Sequence, residues 1–289
     1  MRKSIIVLLV VLCALSVMAG DKDNLTSYLL VQKVTVNNMK AETYPALIRE
    51  FKSIATSVNS EDYWLAGTGI TGNSYDVFFV SNFANFADLD KTMQGMEKIY
   101  QVIQTKNPAL VTKFGESEQM AQSTMWHLSP ALSYLPEKVD TAHATYWMVY
   151  TFHIKPGTMS AFSELVRERI DIVKKANLND HWIAYNSIAG TDTAMMFVMP
   201  IASLSDLDRD DSEAMKTAFT PLVREHLEAA VQKTVAKIET QLIRVKPEFS
   251  RPGPNLVAAN PDFWTVKEPV VTADKKVKKT KKAEMEVGK

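Results

Sequence analysis

The side chains best suited to acid–base or metal chemistry are the histidines. No pair of them has the spacing of a zinc-binding helix. Cys13 is the single cysteine, and it lies within an N-terminal apolar run. We therefore predict no metal site, no disulfide and no thiolate catalysis in the mature protein. The five histidines are His127, His143, His153, His181 and His226.

Among these histidines, His153 is the best candidate for catalysis. Residues 146–154 alternate apolar and polar side chains, as a strand does, which places His153 on the same face as Trp147 and Thr151. A histidine there could serve as a general base or as an axial haem ligand. The competing interpretation is a partly buried histidine at the rim of a packed sheet. His127, on a later strand, could share the same space.

Two tryptophans form a second candidate set. Trp64 and Trp182 occupy matching positions in two similar stretches of sequence. In one interpretation their indoles wall a pocket for a flat ligand, together with Trp147 and Thr151. In the other, each indole anchors a helix to a sheet.

These candidates lie within an internal repeat. Shifting the sequence by 118 residues aligns 28–90 with 146–208 without a gap, and 18 of the 63 positions are identical. Repetition on this scale indicates two copies of one fold in tandem. We place the boundaries at 24–134 for the first copy and 144–250 for the second.

Each copy has the element order βαββαβ. In the second copy, strands are predicted at 146–154, 182–188, 193–199 and 240–245, with a helix at 159–175 and a longer helical region broken near Pro221. The first copy follows the same order, with strands at 28–36, 64–70, 75–81 and 124–129. Right-handed crossovers turn this order into a ferredoxin-like antiparallel sheet with both helices on one face.

The other face of each sheet is left uncovered by helices. On the first strands, this face carries apolar side chains that are costly to leave in water. Packing the two bare faces together resolves that cost, and predicts an α+β fold of two ferredoxin-like repeats joined as an intrachain pseudo-dimer. The residues concerned are Leu29, Val31, Lys33 and Thr35 in the first copy and Trp147, Val149, Thr151 and His153 in the second.

At this point the sequence resembles the dimeric α/β-barrel superfamily. The resemblance rests on the strand–turn–helix opening Phe152–Gly157 with Phe162, and on the Phe-Val strands that precede Asp-Leu-Asp in each copy. It covers about 28–250. The superfamily includes antibiotic-biosynthesis-type monooxygenases, haem-degrading enzymes, chlorite dismutases, NIPSNAP-like proteins and stress-response barrels. Similarity to the monooxygenases implies a polar residue beside a tryptophan near the cleft, and Asn186 near Trp182 is the nearest match.

Residues 1–19 have the order of a secretory signal peptide. Arg2 and Lys3 precede an apolar run, and Val17-Met18-Ala19 supplies small residues before a cleavage point. The run is short for a membrane span. We therefore expect a periplasmic or secreted protein.

Charge distinguishes the C-terminus from the body. Lys plus Arg equals Asp plus Glu at 33 each, so no overall field favours nucleic acid. Residues 251–289 are predicted to form an extended arm followed by a disordered tail with lysines clustered at Lys275–Lys282. Phe263 and Trp264 are predicted to attach the arm to the body of the protein. This tail is either simply solvated or makes weak contact with an anionic membrane or cell-envelope polymer.

The sequence leaves two main functional hypotheses and a third, less favoured one. The first is an exported protein that binds a small apolar or aromatic ligand between its two sheets. The alternative is a monooxygenase-like or haem-dependent enzyme that uses His153 or His127. The third is an envelope interaction protein acting through the basic tail.

Overall fold

The described part of the first half of the chain folds into four strands and three α-helices, with a short 3₁₀ helix at Asn38–Lys40. The structure is a computed structural model, and it describes residues 26–211 and 213–266. Alternating side chains along the strands and apolar stripes along the helices account for the elements. In chain order they are β1 (Tyr28–Val36), α1 (Tyr44–Ser57), β2 (Leu65–Gly69), β3 (Asp76–Phe83), α2 (Phe86–Lys106), α3 (Pro108–Ser117) and β4 (Glu118–Leu128).

The second half follows the same order. The predicted break at Pro221 is confirmed, because a new helix begins there and the Thr220 hydroxyl accepts a hydrogen bond from the backbone N–H of Val223. The last strand begins at Val235, five residues before the predicted start. The elements are β5 (Tyr146–Ile154), α4 (Met159–Lys175), β6 (Ile183–Ala189), β7 (Ala194–Ile201), α5 (Glu213–Ala218), α6 (Pro221–Thr234) and β8 (Val235–Val245).

The eight strands form one closed antiparallel barrel. Their order around the barrel is β1-β3-β2-β8-β5-β7-β6-β4. Two seams join the halves: β2 pairs with β8, where Gly67 lies opposite Val245, and β4 pairs with β6, where Leu128 lies opposite Tyr185. The predicted mixture of helices and antiparallel strands is confirmed.

The manner of closure differs from simple face-to-face packing of two sheets. The edge strands of the two halves pair with each other, so each half supplies hydrogen-bond partners to the other's open edges. An unpaired edge exposes backbone N–H and C=O groups, and closing the barrel removes that exposure. Hydrophobic alternation along the strands predicts which faces meet, but carries no information about edge pairing.

The helices lie outside the barrel and cover two separate apolar cores. One core joins the outer face of the first-half strands to α1, α2 and α3, with Val34, Ile48 and Ile99 almost fully buried. The other joins the second-half strands to α4 and α6 around Phe162 and Val173. These cores fix the strands from outside, which leaves the inward face of the barrel free to form a site.

The C-terminal arm is not extended, contrary to prediction. It forms two short helices, α7 (Pro254–Ala259) and α8 (Pro261–Trp264), each with proline at its start, where the missing N–H costs nothing. Trp264 is buried, so the predicted attachment through this residue is confirmed. The signal segment 1–19 and the lysine cluster Lys275–Lys282 lie outside the described residues.

Within residues 26–211 and 213–266, no helix combines the length and apolar character needed to cross a membrane.

Candidate functional site

The barrel contains a cavity of about 830 Å³ that is partly open to the outside. Inward-facing side chains from all eight strands line the cavity, with β2 contributing Leu65. The alternation predicted for β1 and β5 is confirmed at seven of the eight positions named above, and Thr35 is the exception. A volume of this size lies in the range of small-molecule sites. One end of the cavity is apolar, and we call it the apolar floor. It consists of Leu29, Trp126, Trp147, Ile243 and Leu256.

The opposite end of the cavity is polar. In a closed ring of antiparallel strands β1 and β5 run in the same direction, so their C-terminal ends lie at the same end of the barrel as the N-terminal ends of β4 and β8. Four strand residues, or roughly 13 Å, separate this end from the floor. The cavity-lining residues that define this polar mouth are Lys33, Gln122, Thr151, His153 and Glu239.

His153 is held between two carboxylates in the polar mouth. Its Nδ1 lies 2.7 Å from Asp192 Oδ1 and its Nε2 lies 3.1 Å from Glu239 Oε1. The hydrogen bond with His153 lowers the pKa of Asp192, and a hydrogen bond from Lys237 Nζ lowers the pKa of Glu239. Both carboxylates are therefore charged acceptors near neutral pH. The ring ties β5 to β8 and to the β6–β7 hairpin, which carries Asp192.

Lys33 contributes a further ion pair to the polar mouth. Its Nζ lies 2.7 Å from Asp76 Oδ2, and the Thr35 hydroxyl donates to Asp76 Oδ1 at 2.6 Å. The Asp76 side chain is buried while that of Lys33 is one-third exposed. Each charged group named in the mouth thus has an opposite charge beside it, which favours ligands without a strong net charge at that end.

Two chain segments cover the apolar floor. The connection between β4 and β5 reaches the N-terminal end of β5, and the arm leaves from the C-terminal end of β8, so both arrive at the floor. The backbone oxygen of Ala142 accepts hydrogen bonds from Trp264 Nε1 at 3.0 Å and from Asn260 Nδ2 at 3.1 Å. Leu256 of α7 is fully buried against the floor. The arm therefore completes the cavity wall.

Two buried side chains of the cavity lining, Tyr185 and Trp147, have no hydrogen-bond partner among the described residues. Tyr185 is 5% exposed and its hydroxyl makes no hydrogen bond within 26–211 and 213–266. The same holds for Nε1 of Trp147, which is 6% exposed. The other tryptophans each donate to an oxygen of the protein: Trp64 to Phe249, Trp126 to Thr124, Trp182 to Leu132 and Trp264 to Ala142.

The structure brings together only part of the predicted site. Trp147, Thr151 and His153 all line the cavity, as predicted. His127 is exposed on the outer face, with its ring 4.8 Å from the ring of Tyr28. Asn186 lies opposite His127 across the β4–β6 seam and is likewise not among the lining residues. Alternation explains both, since their neighbours Trp126 and Tyr185 point inward.

Trp64 and Trp182, predicted as possible pocket walls, do not line the cavity. Both are buried outside the cavity, in the helix-facing cores. Trp64 Nε1 donates to the backbone oxygen of Phe249 and Trp182 Nε1 to that of Leu132, each at 2.8 Å. Phe249 follows β8 and Leu132 follows β4, so each indole anchors the segment that leaves the other half's last strand. The anchoring role that sequence offered as the alternative is the observed one.

Haem fits this interior poorly. An axial ligand needs a free imidazole nitrogen directed at the metal. Both nitrogens of His153 already face carboxylate oxygens, and His127 lies on the outside. Among the described residues no group of three or more His, Cys, Asp or Glu side chains is placed to hold a metal ion.

Sequence reasoning missed several lining residues. Tyr185 could have been found by extending the alternation from Ile183, which also lines the cavity. Trp126 likewise follows from the alternation of β4. Leu256 and Ala142 had no periodic signal, because they belong to segments without regular strand structure.

Comparisons with known proteins identify the fold. Neither protein-family models nor curated proteins gave a match. An anthrone oxidase-like protein of known structure aligns with a TM-score of 0.50 and 13% identity over 78% of this chain and 93% of that one. A proposed monooxygenase from Lactobacillus acidophilus NCFM gives 0.46 and 12% over 76% and 94%, and chlorite dismutase from Candidatus Nitrospira defluvii gives 0.45 and 12% over 78% and 94%.

The anthrone oxidase-like protein, with a TM-score of 0.50, shares its fold with this chain. At such low identity, the likeness shows a shared fold and leaves the chemistry open.

Proposed function

We propose that this chain is an exported protein that binds a small, largely apolar or aromatic molecule inside its barrel. The observation that carries the proposal is the cavity of about 830 Å³, with an apolar floor that includes two indoles. Protein interiors are normally packed without voids much larger than water, so a cavity of this size within a barrel leaves room for a small-molecule ligand.

The magnitude of apolar burial supports such a ligand. An aromatic molecule that buries about 200 Å² on the floor gains about 5 kcal/mol at about 25 cal/mol per Å². Association costs offset part of this gain. The remainder is consistent with measurable binding of an apolar molecule, which hydrogen bonds to the ligand would strengthen.

A cavity-filling variant tests the proposal. Val149 lies in the lining and is 8% exposed, so Val149→Phe places a ring in the ligand's space. The matched control is Val266→Phe, at a surface position that is 45% exposed. Binding of the tricyclic hydrocarbon fluorene is measured by equilibrium dialysis, with thermal melting to verify folding.

We expect fluorene to bind the unaltered chain and the Val266→Phe control alike. Affinity should fall at least ten-fold in folded Val149→Phe. Equal binding by all three proteins, or no binding to any, would refute a ligand site inside the barrel.

An enzyme that uses haem or a monooxygenase mechanism is the alternative function, and the names of the structural neighbours are compatible with it. Engagement of both His153 nitrogens is the reason to rank it second. Titration with haem tests it: a Soret band that disappears in His153→Ala would favour the alternative over ligand storage.

We also propose that the barrel is a tandem pair of ferredoxin-like repeats. Supporting this, the strand orders β4-β1-β3-β2 and β8-β5-β7-β6 are the same when one half is laid on the other. If the halves depend on each other's edges, each expressed alone should aggregate or dimerise. A monomeric, cooperatively folded half would contradict the proposal.

Export and envelope contact rest on segments outside the described residues. N-terminal sequencing of the mature protein should begin at Gly20 if residues 1–19 are removed. Deleting 267–289 should abolish association with vesicles containing anionic lipid if the Lys275–Lys282 cluster makes that contact. Unchanged association would exclude the tail as the contact.

A further inference from the structure

We infer that the ligand of the barrel carries an oxygen hydrogen-bond acceptor, such as the carbonyl of an aromatic ketone or quinone, and that Tyr185 selects for it. This inference rests on the proposed function and adds the chemical class of the ligand.

The first support is the position of Tyr185. It lies on β6 with its side chain in the cavity. Tyr185 is paired with Met196 on the neighbouring strand β7, and Met196 is in turn paired with Thr151 on β5. Ile183 and Met196, its lining neighbours, offer no strong hydrogen-bond partner. The Tyr185 side chain is buried, and this burial desolvates its phenol.

The second support is the contrast with other buried donors. Buried hydroxyl and indole N–H groups in proteins are almost always paired, because leaving them unpaired is costly. The buried Tyr44 hydroxyl follows this rule and donates to Glu118 Oε1 at 2.8 Å. Tyr185 and Trp147 have no such partner among the described residues, and both side chains line the cavity, where a ligand can reach them.

The protonation state of Tyr185 decides whether its phenol can donate a hydrogen bond to a ligand. Burial raises the pKa of the Tyr185 phenol well above its ordinary value of 10.0. The group therefore stays protonated at neutral pH and donates to a ligand oxygen. Indole Nε1 of Trp147 can only donate. Two unpaired donors in one cavity favour an acceptor-bearing ligand over a plain hydrocarbon or a cation.

A matched ligand pair tests this selectivity. Fluorene and 9-fluorenone share a flat tricyclic frame, and only fluorenone bears a carbonyl oxygen. Equilibrium dialysis measures both dissociation constants for the unaltered chain, for Tyr185→Phe and for the control Tyr150→Phe, which alters a tyrosine packed in the outer core. The Tyr185→Phe substitution removes one oxygen atom and leaves the ring.

The expected result is a preference for fluorenone that depends on the Tyr185 hydroxyl. The ratio of the two dissociation constants should change about five-fold in Tyr185→Phe, which is the size of one neutral hydrogen bond. Tyr150→Phe should keep the original ratio. Thermal melting supplies an independent readout: removing an unpaired buried hydroxyl should raise the Tm of the ligand-free protein by about 2–4 °C.

The outcomes separate the two proposals. Binding of fluorene with the same fluorenone ratio in the unaltered chain and in Tyr185→Phe would overturn the selectivity and leave the apolar site standing. Failure of both compounds to bind any variant would overturn both proposals. A fall in Tm for ligand-free Tyr185→Phe would show that the hydroxyl has a partner in the protein, which also overturns the inference.

Discussion

Two equivalent glycines provide a sharp test of how the barrel closes. Gly72 and Gly190 stand at the same point of the β2–β3 and β6–β7 hairpins, with φ angles of +81° and +82°. A Cβ added at Gly72 meets nothing within 4 Å. A Cβ added at Gly190 would overlap the backbone oxygen of Ser123 and lie 3.0 Å from Thr124 Cα, both on β4.

The two alanine substitutions therefore share one cost and differ in another. A left-handed alanine costs about 1 kcal/mol relative to glycine. Overlap with a backbone that cannot move aside adds about 1–3 kcal/mol. We expect Gly72→Ala to lower the free energy of unfolding by about 1 kcal/mol and Gly190→Ala by about 2–4 kcal/mol.

Urea unfolding followed by far-UV circular dichroism measures both values. The difference reports whether the β6–β7 hairpin is pressed against β4 at the seam. If both variants lose the same stability, within about 0.5 kcal/mol, the hairpin does not contact β4 as described and the closure of the barrel there is wrong.

Three further predictions concern charge, hydrogen bonding and local motion. Desolvation raises the pKa of Glu118 from 4.5 to about 7, so the folded chain holds this proton more tightly than the unfolded chain and loses stability as pH rises through that interval. Glu118→Gln should match the unaltered protein at pH 4.5 and exceed it by about 2–3 kcal/mol at pH 8, which pH-dependent urea melts will measure. The fully buried Ser250 hydroxyl accepts the backbone N–H of Ala66 at 2.8 Å, so Ser250→Ala should cost about 1–3 kcal/mol; a neutral result in the same melts would deny this contact. His153→Ala should speed amide hydrogen exchange several-fold in the β6–β7 hairpin and leave the β2–β3 hairpin unchanged; equal protection would show that the ring does not tie the hairpin down.

The inward faces of the strands could be predicted because alternation is a local property. Val149, Thr151 and His153 share one face of β5, and this follows from the two-residue period alone. The same reasoning would have rejected His127, since Trp126 beside it faces inward. His127 therefore lies on the outer face of β4, one residue out of step with the side chains that line the cavity.

The roles of Trp64 and Trp182 could not be decided from sequence. Large aromatic side chains suit a ligand pocket and a packed core equally well. Their hydrogen bonds to Phe249 and Leu132 depend on where the chain goes after β8 and β4, which is a tertiary feature. Coverage of the floor by Leu256 is of the same kind, because the arm has no repeating pattern that predicts its path.

Diffraction from crystals pressurised with xenon tests the central claim, that the barrel is hollow and apolar at its floor. Xenon enters apolar cavities and is readily located by its electron density. The account predicts xenon density inside the barrel beside Trp126 and Trp147. A barrel interior filled by side chains, with no xenon beside either indole, would contradict it.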